Sequence, residues 1–245
     1  MKLLKPDILS NLSNIEAVFT TADRYGINQT GTVKGLNLGN NTIANSEEVN
    51  ENFNTLFDEL NWNKENIASA LQVHGDNIEI INEPGIYPDT DGLITQKKNI
   101  ILSIQVADCA AVLIANTKTG TIGAFHAGWK GAAKGIIKKG FRMMKDIDNA
   151  EGSYKAFISP CISQKNFEVG EDVAQKFPDY VVDRNSYKKP HVDLKAFIVD
   201  ELQKEGVAEH DIQVSDICTF ENSEFYSYRR EREKAGRMLA MIKRK

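Results

Sequence analysis

Three side chains soft enough to hold a transition metal sit in this sequence where apolar runs give way to glycine corners. His74 lies in QVHGD, Cys109 in VADCA and His126 in AFHAGWKG. They are 35 and 17 residues apart, so none of the spacings is the short one of a structural zinc ribbon. Ligands on three separate strand ends are instead how a rigid sheet builds a three-ligand catalytic site with an open fourth position. Two imidazoles and a thiolate suit Zn²⁺, which would keep Cys109 deprotonated and lower the pKa of a bound water to roughly 7.

Other readings use the same residues. Cys109 as nucleophile and His126 as base make a thiolate–imidazolium dyad in which His74 has no part. A core cysteine with two hydrogen-bonded histidines needs no chemistry at all. Cu²⁺ is the alternative ion. A laccase-type copper cluster needs many histidines, usually in His-x-His pairs, and this chain has four histidines and no such pair. A blue-copper site usually adds an axial methionine, and the five methionines (1, 143, 144, 238 and 241) lie far from these motifs in sequence.

Around the three residues are further candidates. HAGWKGAAKG places Gly128, Lys130 and Gly131 before an expected helix, which reads as an anion-binding corner or as a tight turn. PDTDGLI offers Asp89 and Asp91 as paired carboxylates or as an Asp-rich turn. FYSYRREREKAGRM sets aromatics beside Arg229, Arg230, Arg232 and Arg237. It reads as a solvated helix start in which Tyr228 and Arg229 could hold a phosphate or a flat base. Cys161 and Cys218 read as core residues.

The elements that must position these residues follow from periodicity. EAVFTT (16–21) reads as a strand, and Asn45 with Glu48 as a capping box before a helix carrying Val49, Phe53, Phe57 and Leu60. The middle is strand-rich at 68–73, 76–81, 92–96, 99–106, 110–116 and 121–126, the last two joined by the hairpin loop TKTG. A helix is expected over 132–147, a strand over 154–159, a helix capped by Asp193, a last strand over 212–217 and a helical tail from Glu233. Clustered strands with irregularly placed helices are not a βαβ alternation. The expectation is therefore a single α+β domain, 1–245, with mixed β-sheets.

The 245 residues carry 30 basic and 34 acidic side chains, a formal charge of −4, which leaves no electrostatic footprint for nucleic acid or an anionic membrane. No stretch reads as a signal peptide or a membrane span, and three widely spaced cysteines do not make a disulfide framework. These features point to a cytoplasmic protein; oligomeric state has no signature in the sequence.

Taken together and in order, QVHG (72–75), DTDG (89–92), ADC (107–109), HAGWKG (126–131), SPCI (159–162), FEVG (167–170) and FYSYRR…GRM resemble the YfiH/laccase-domain family. That family was once described as multicopper polyphenol oxidases and has also been linked to peptidoglycan editing. The resemblance runs from about residue 18 to 241. It implies mixed β-sheets packed between helices, a zinc site on His74, Cys109 and His126, and a purine nucleoside enzyme. The implied reactions are phosphorolysis of adenosine, inosine, guanosine and methylthioadenosine, with adenosine deamination as a side activity. The small-molecule partners are then a nucleoside and phosphate. Within that reading Lys130, Tyr228 and Arg229 are candidates for phosphate or base contact, Asn37 and Gln72 for polar orientation, and Asp91 for moving the proton in deamination. A Cys–His hydrolase and a peptidoglycan-precursor editing factor are the alternatives. The chain departs from the family's usual pattern at Ala22 and Phe53, where arginines are common, at Lys130 in place of the Arg of HAGWRG, and at Ser159 in place of a glycine.

Overall fold

In the computed structural model, which describes residues 1–245, two six-stranded mixed sheets lie face to face. The first runs, edge to edge, Leu3–Leu4, Ile15–Thr20, Met238–Arg244, Ile101–Val106, Ile67–Ala70 and Gly85–Tyr87. The second runs Ile212–Val214, Tyr154–Ile158, Ala110–Asn116, Ile122–Ala127, Gly92–Thr95 and Ile78–Ile80.

The alternation of side chains explains the layering. In Ala110–Asn116, Ala111, Leu113 and Ala115 face the first sheet and pack with Leu102, Ile104 and Ala240. Ala110, Val112 and Ile114 face the other way, onto the helices Ile136–Ile147 and Leu194–Lys204. The first sheet's outer face, with Val18, Ile101, Leu239 and Met241, is covered by Leu56 and Phe57 of the helix Ser46–Leu60. The result is helix, sheet, sheet, helix, the expected mixed sheets between helices. Strands covered on both faces read as continuous apolar runs, which is why AAVLIA carries no polar position before Asn116.

Local signals explain several boundaries. The Asn45 side chain accepts from Glu48 N–H at 2.8 Å and opens its helix, and Asp193 accepts from Ala196 N–H at 3.0 Å to open another. The helix expected over 132–147 is interrupted: Trp129–Ala133 and Ile136–Ile147 are separate, because Gly135 takes φ +80°, a left-handed conformation that ends one helix and starts the next.

The tail departs most from expectation. Tyr228–Glu231 and Arg232–Lys234 form short helical turns, but Met238–Arg244 is a strand, paired with Ile15–Thr20 on one side and Ile101–Val106 on the other. Met, Leu and Ala favour a helix in isolation. Burial decides otherwise, since Met238, Ala240 and Ile242 fill the space between the sheets while Leu239 and Met241 fill the outer core. The strand expected over 212–217 ends at Val214.

Candidate metal centre

Strand direction brings the three donor residues to one end of the sandwich. Ile67–Ala70 pairs in parallel with Ile101–Val106, so the segments that follow them, carrying His74 and Cys109, emerge at the same edge. Ala107–Cys109 then crosses from the first sheet into Ala110–Asn116 of the second. The antiparallel hairpin pairs Ala111 with His126, and Cys109, two residues earlier on the same side, becomes the diagonal neighbour of that imidazole.

The donor atoms of His74, Cys109 and His126 all lie within 4.8 Å of one another. The imidazoles meet edge-on, their centroids 4.8 Å apart. His126 is buried, Cys109 half-buried and His74 exposed, so the centre is open from one side. Asp91 fixes its orientation. One carboxylate oxygen lies 2.7 Å from His126 Nδ1 and accepts from His74 N–H at 3.1 Å, while the other accepts from Val73 and Gly75 N–H at 3.2 and 2.7 Å. A single carboxylate thus turns the His126 Nε2 edge toward the cluster and holds the loop that carries His74, whose own φ is +60°. Burial alone would raise the Asp91 carboxyl, but the His126 hydrogen bond and the Gly75 and Val73 amides outweigh it and hold it below the usual range.

Electrostatics favour the donor form of the sulfur. Burial pushes the Cys109 thiol up, but the His126 charge and the hydrogen bonds from His126 and His74 bring it down to about 6. His126 moves the opposite way: burial opposes its charge, and Cys109 with Asp91 raises it well above an ordinary histidine. These residues fit a transition metal by donor type, fixed ring orientation and room. A Cβ added to Gly128 would sit 3.0 Å from Cys109 Sγ, 3.2 Å from His74 Cδ2 and 3.5 Å from His126 Cε1. Glycine there keeps a pocket clear in front of the three ligands.

The centre lies in a cavity of about 1120 Å³. Gln72, Tyr228 and Arg229 line it. Gln72 spends its amide on the Gln105 backbone, donating to O and accepting from N at 2.8 Å each, and so prolongs the strand pairing. Tyr228 is 44% exposed at the wall, and Arg229 Nη2 donates to the Glu168 carbonyl at 3.0 Å.

Three candidates fall elsewhere. Lys130 is exposed outside the cavity with its ammonium 5.6 Å from the Trp129 ring, so it does not neutralise an anion there. Asn37 is buried and accepts from Gly39 and Arg237 N–H, which makes it a backbone brace. Asp91 has no exposed surface and all its carboxylate hydrogen bonds face His126 and the 73–75 loop, so it is not the group that moves a proton on a substrate. Asp89 turns out to solvent and forms no carboxylate pair with it. Ala22 is in the core, whereas Phe53 lines the cavity, stacked on Phe57. Cys161 and Cys218 are buried, Cys161 with its thiol pushed up to about 12 by burial.

Two cavity residues carried no such role in the sequence reading. Asp108, at φ +84°, accepts from Thr219 Oγ1, Ser227 Oγ and Arg229 N–H at 2.7, 3.0 and 2.6 Å, tying the 227–229 turn to the cysteine loop. Its only signal was its place beside Cys109. Arg237 was one arginine in a basic run; its role depends on what surrounds it.

The family model described as multi-copper polyphenol oxidoreductase laccase matches residues 16–245. A protein named purine nucleoside phosphorylase from Deinococcus radiodurans is 34% identical over 229 residues, 91% of this chain and 87% of its own. One of the same name from Bacteroides thetaiotaomicron is 30% identical over 98% of this chain and 96% of its own. YlmD from Geobacillus stearothermophilus superposes with a TM-score of 0.88 at 27% identity, covering 96% of this chain and 93% of that one. Bacillus licheniformis YfiH gives 0.85 at 27% identity over 94% and 93%. Sequence and fold therefore agree along nearly the whole chain, and the protein belongs to the YfiH-like, laccase-domain family.

Proposed function

We propose that this protein is a zinc-dependent purine nucleoside phosphorylase with adenosine deamination as a lesser activity at the same centre. The observation that carries the reading is the His74–Cys109–His126 cluster opening into a cavity lined by both apolar and charged side chains. The names of the relatives from Deinococcus radiodurans and Bacteroides thetaiotaomicron support it.

In phosphorolysis a phosphate oxygen bonds to C1′ of the ribose as the C1′–N9 bond breaks. The electron pair leaves on the purine, which takes up a proton, and ribose 1-phosphate remains. A zinc ion on His74, Cys109 and His126 would supply a Lewis acid to oxygen. The protein's own groups do the rest. Asp91 holds His126 and the His74 loop in position. Leu71, Ile86 and Phe167 offer apolar surface to the base. Tyr228 and Arg229 remain the candidates for contact with the nucleoside.

The test is chromatography of adenosine incubated with the purified protein, with and without phosphate, beside Cys109→Ala. Adenine with ribose 1-phosphate is expected only when phosphate is present, and is expected to vanish with the bound zinc in the variant. Inosine formed without phosphate reports the deaminase arm. Untouched adenosine with zinc-loaded protein overturns the reading.

One observation favours a second reading. Asp91, His126 and Cys109 line up as carboxylate, imidazole and thiolate, the order of a cysteine hydrolase. Such an enzyme keeps its activity in His74→Ala and loses it to iodoacetamide without metal; the phosphorylase loses activity with His74.

A further inference from the structure

Three cations line the cavity: Lys64, Arg229 and Arg237. Lys64 donates to Asn54 Oδ1 at 2.8 Å on an asparagine-rich wall. Arg229 gives Nη2 to the Glu168 carbonyl and lies 5.9 Å from the Phe167 ring.

Arg237 is held differently. Its Nη1 donates to the Ala235 and Gly236 carbonyls at 2.7 and 3.0 Å, which fixes the plane of the guanidinium. No carboxylate pairs with it, and Nε and Nη2 have no acceptor in the protein. Asp108, the acid beside Cys109, is engaged instead by Thr219, Ser227 and the Arg229 amide. The Arg237 backbone is braced on both sides: its N–H donates to the buried Asn37 at 2.9 Å, and its carbonyl accepts from Leu38 N–H at 3.0 Å. Burial opposes its charge, and Cys109, Tyr228 and Asp108 are near enough to offset part of that cost. A half-buried guanidinium with a pinned plane and an open donor edge is a poor arrangement without an anion and a good one with it.

We infer that Arg237 is the phosphate-binding residue of this enzyme, its Nε and Nη2 taking two phosphate oxygens beside the metal centre. The inference rests on the phosphorylase reading and gives Arg237 the role expected of Lys130. Arginine suits it because two parallel N–H groups match two oxygens, a geometry lysine lacks. Asn37 then acts through Arg237, as a positioning residue.

The experiment compares full-length wild type with Arg237→Gln and Arg237→Lys, each checked for metal content and circular dichroism. KM for phosphate and for the nucleoside are measured separately, and binding of inorganic phosphate is measured by calorimetry without nucleoside. In Arg237→Gln the phosphate KM is expected to rise on the order of 10- to 100-fold, the loss of a charge-assisted pair. The nucleoside KM should stay within about threefold and lysine should recover part of the loss. An unchanged phosphate KM in an active Arg237→Gln overturns the inference and leaves the phosphorylase reading intact. Should the wild type show no phosphorolysis, calorimetry still decides. Phosphate binding that disappears in Arg237→Gln upholds the anion site. Equal binding in both, or none in the wild type, overturns it.

Discussion

Asp91 sets how much freedom the donor residues of the cluster have. Its carboxylate serves one imidazole and three backbone amides, so a change there is felt by His126 and by the His74 loop together. Asp91→Asn replaces one acceptor oxygen with an N–H₂ group that must face an N–H donor. We expect about 10- to 100-fold weaker metal binding, as for other partners that orient a ligating histidine. Competition with a chelator measures this, and an unchanged affinity would make Asp91 merely structural. At this scale the donor set itself was legible, because His and Cys announce their chemistry by type and a strand end next to glycine is where a ligand can protrude. The roles of Lys130, Asn37 and Asp91 were not. A side chain's type does not say whether it faces the cavity or the core, and Arg237 acquires its role from lacking a partner that only the fold can supply or withhold.

Among the elements, the tail strand shows where local reading ends. MLAMI has no alternation, since both its faces are buried, and its residues favour helices when alone. The hairpin 110–127 was readable because its loop TKTG and its register are local; the pairing of Met238–Arg244 with strands more than a hundred residues away is not. Leu239→Ala tests the weight of that strand. Leu239 is fully buried against the outer helix, and the substitution is expected to cost about 2–5 kcal/mol in a denaturant titration. A loss under about 1 kcal/mol would mean that the strand contributes little.

The two helices over the second sheet give the pH counterpart. Glu205, at the end of Leu194–Lys204, accepts from Arg142 Nε at 2.9 Å and Lys145 Nζ at 3.1 Å on Ile136–Ile147. Its Arg142 hydrogen bond, against the opposing effect of burial, holds the carboxyl below an ordinary glutamate. The unfolded chain therefore takes up this proton first as pH falls. The contribution is complete at neutral pH, above the unfolded value, and is lost in acid as pH drops through the folded one. The difference in Tm between wild type and Glu205→Gln should accordingly be present at pH 7 and shrink below about pH 4. A difference independent of pH would remove Glu205 as the cause.

On the scale of the molecule, an α+β domain with mixed sheets was legible, because clustered strands with irregularly placed helices are not a βαβ alternation; that two sheets lie face to face under helical cover was not. Which strands adjoin was hidden, and that order has a consequence for how the chain is made. Ile15–Thr20 and Ile101–Val106 do not touch as neighbours; Met238–Arg244 lies between them. During synthesis the second sheet can assemble as soon as residue 214 has emerged, while the two halves of the first still have a gap in the middle. Until the ribosome has delivered the closing strand, the nascent chain exposes two open β-edges and the apolar faces of Ala17, Phe19, Leu102 and Ile104. The interval in which this protein most needs a chaperone therefore closes only when Met238–Arg244 has emerged.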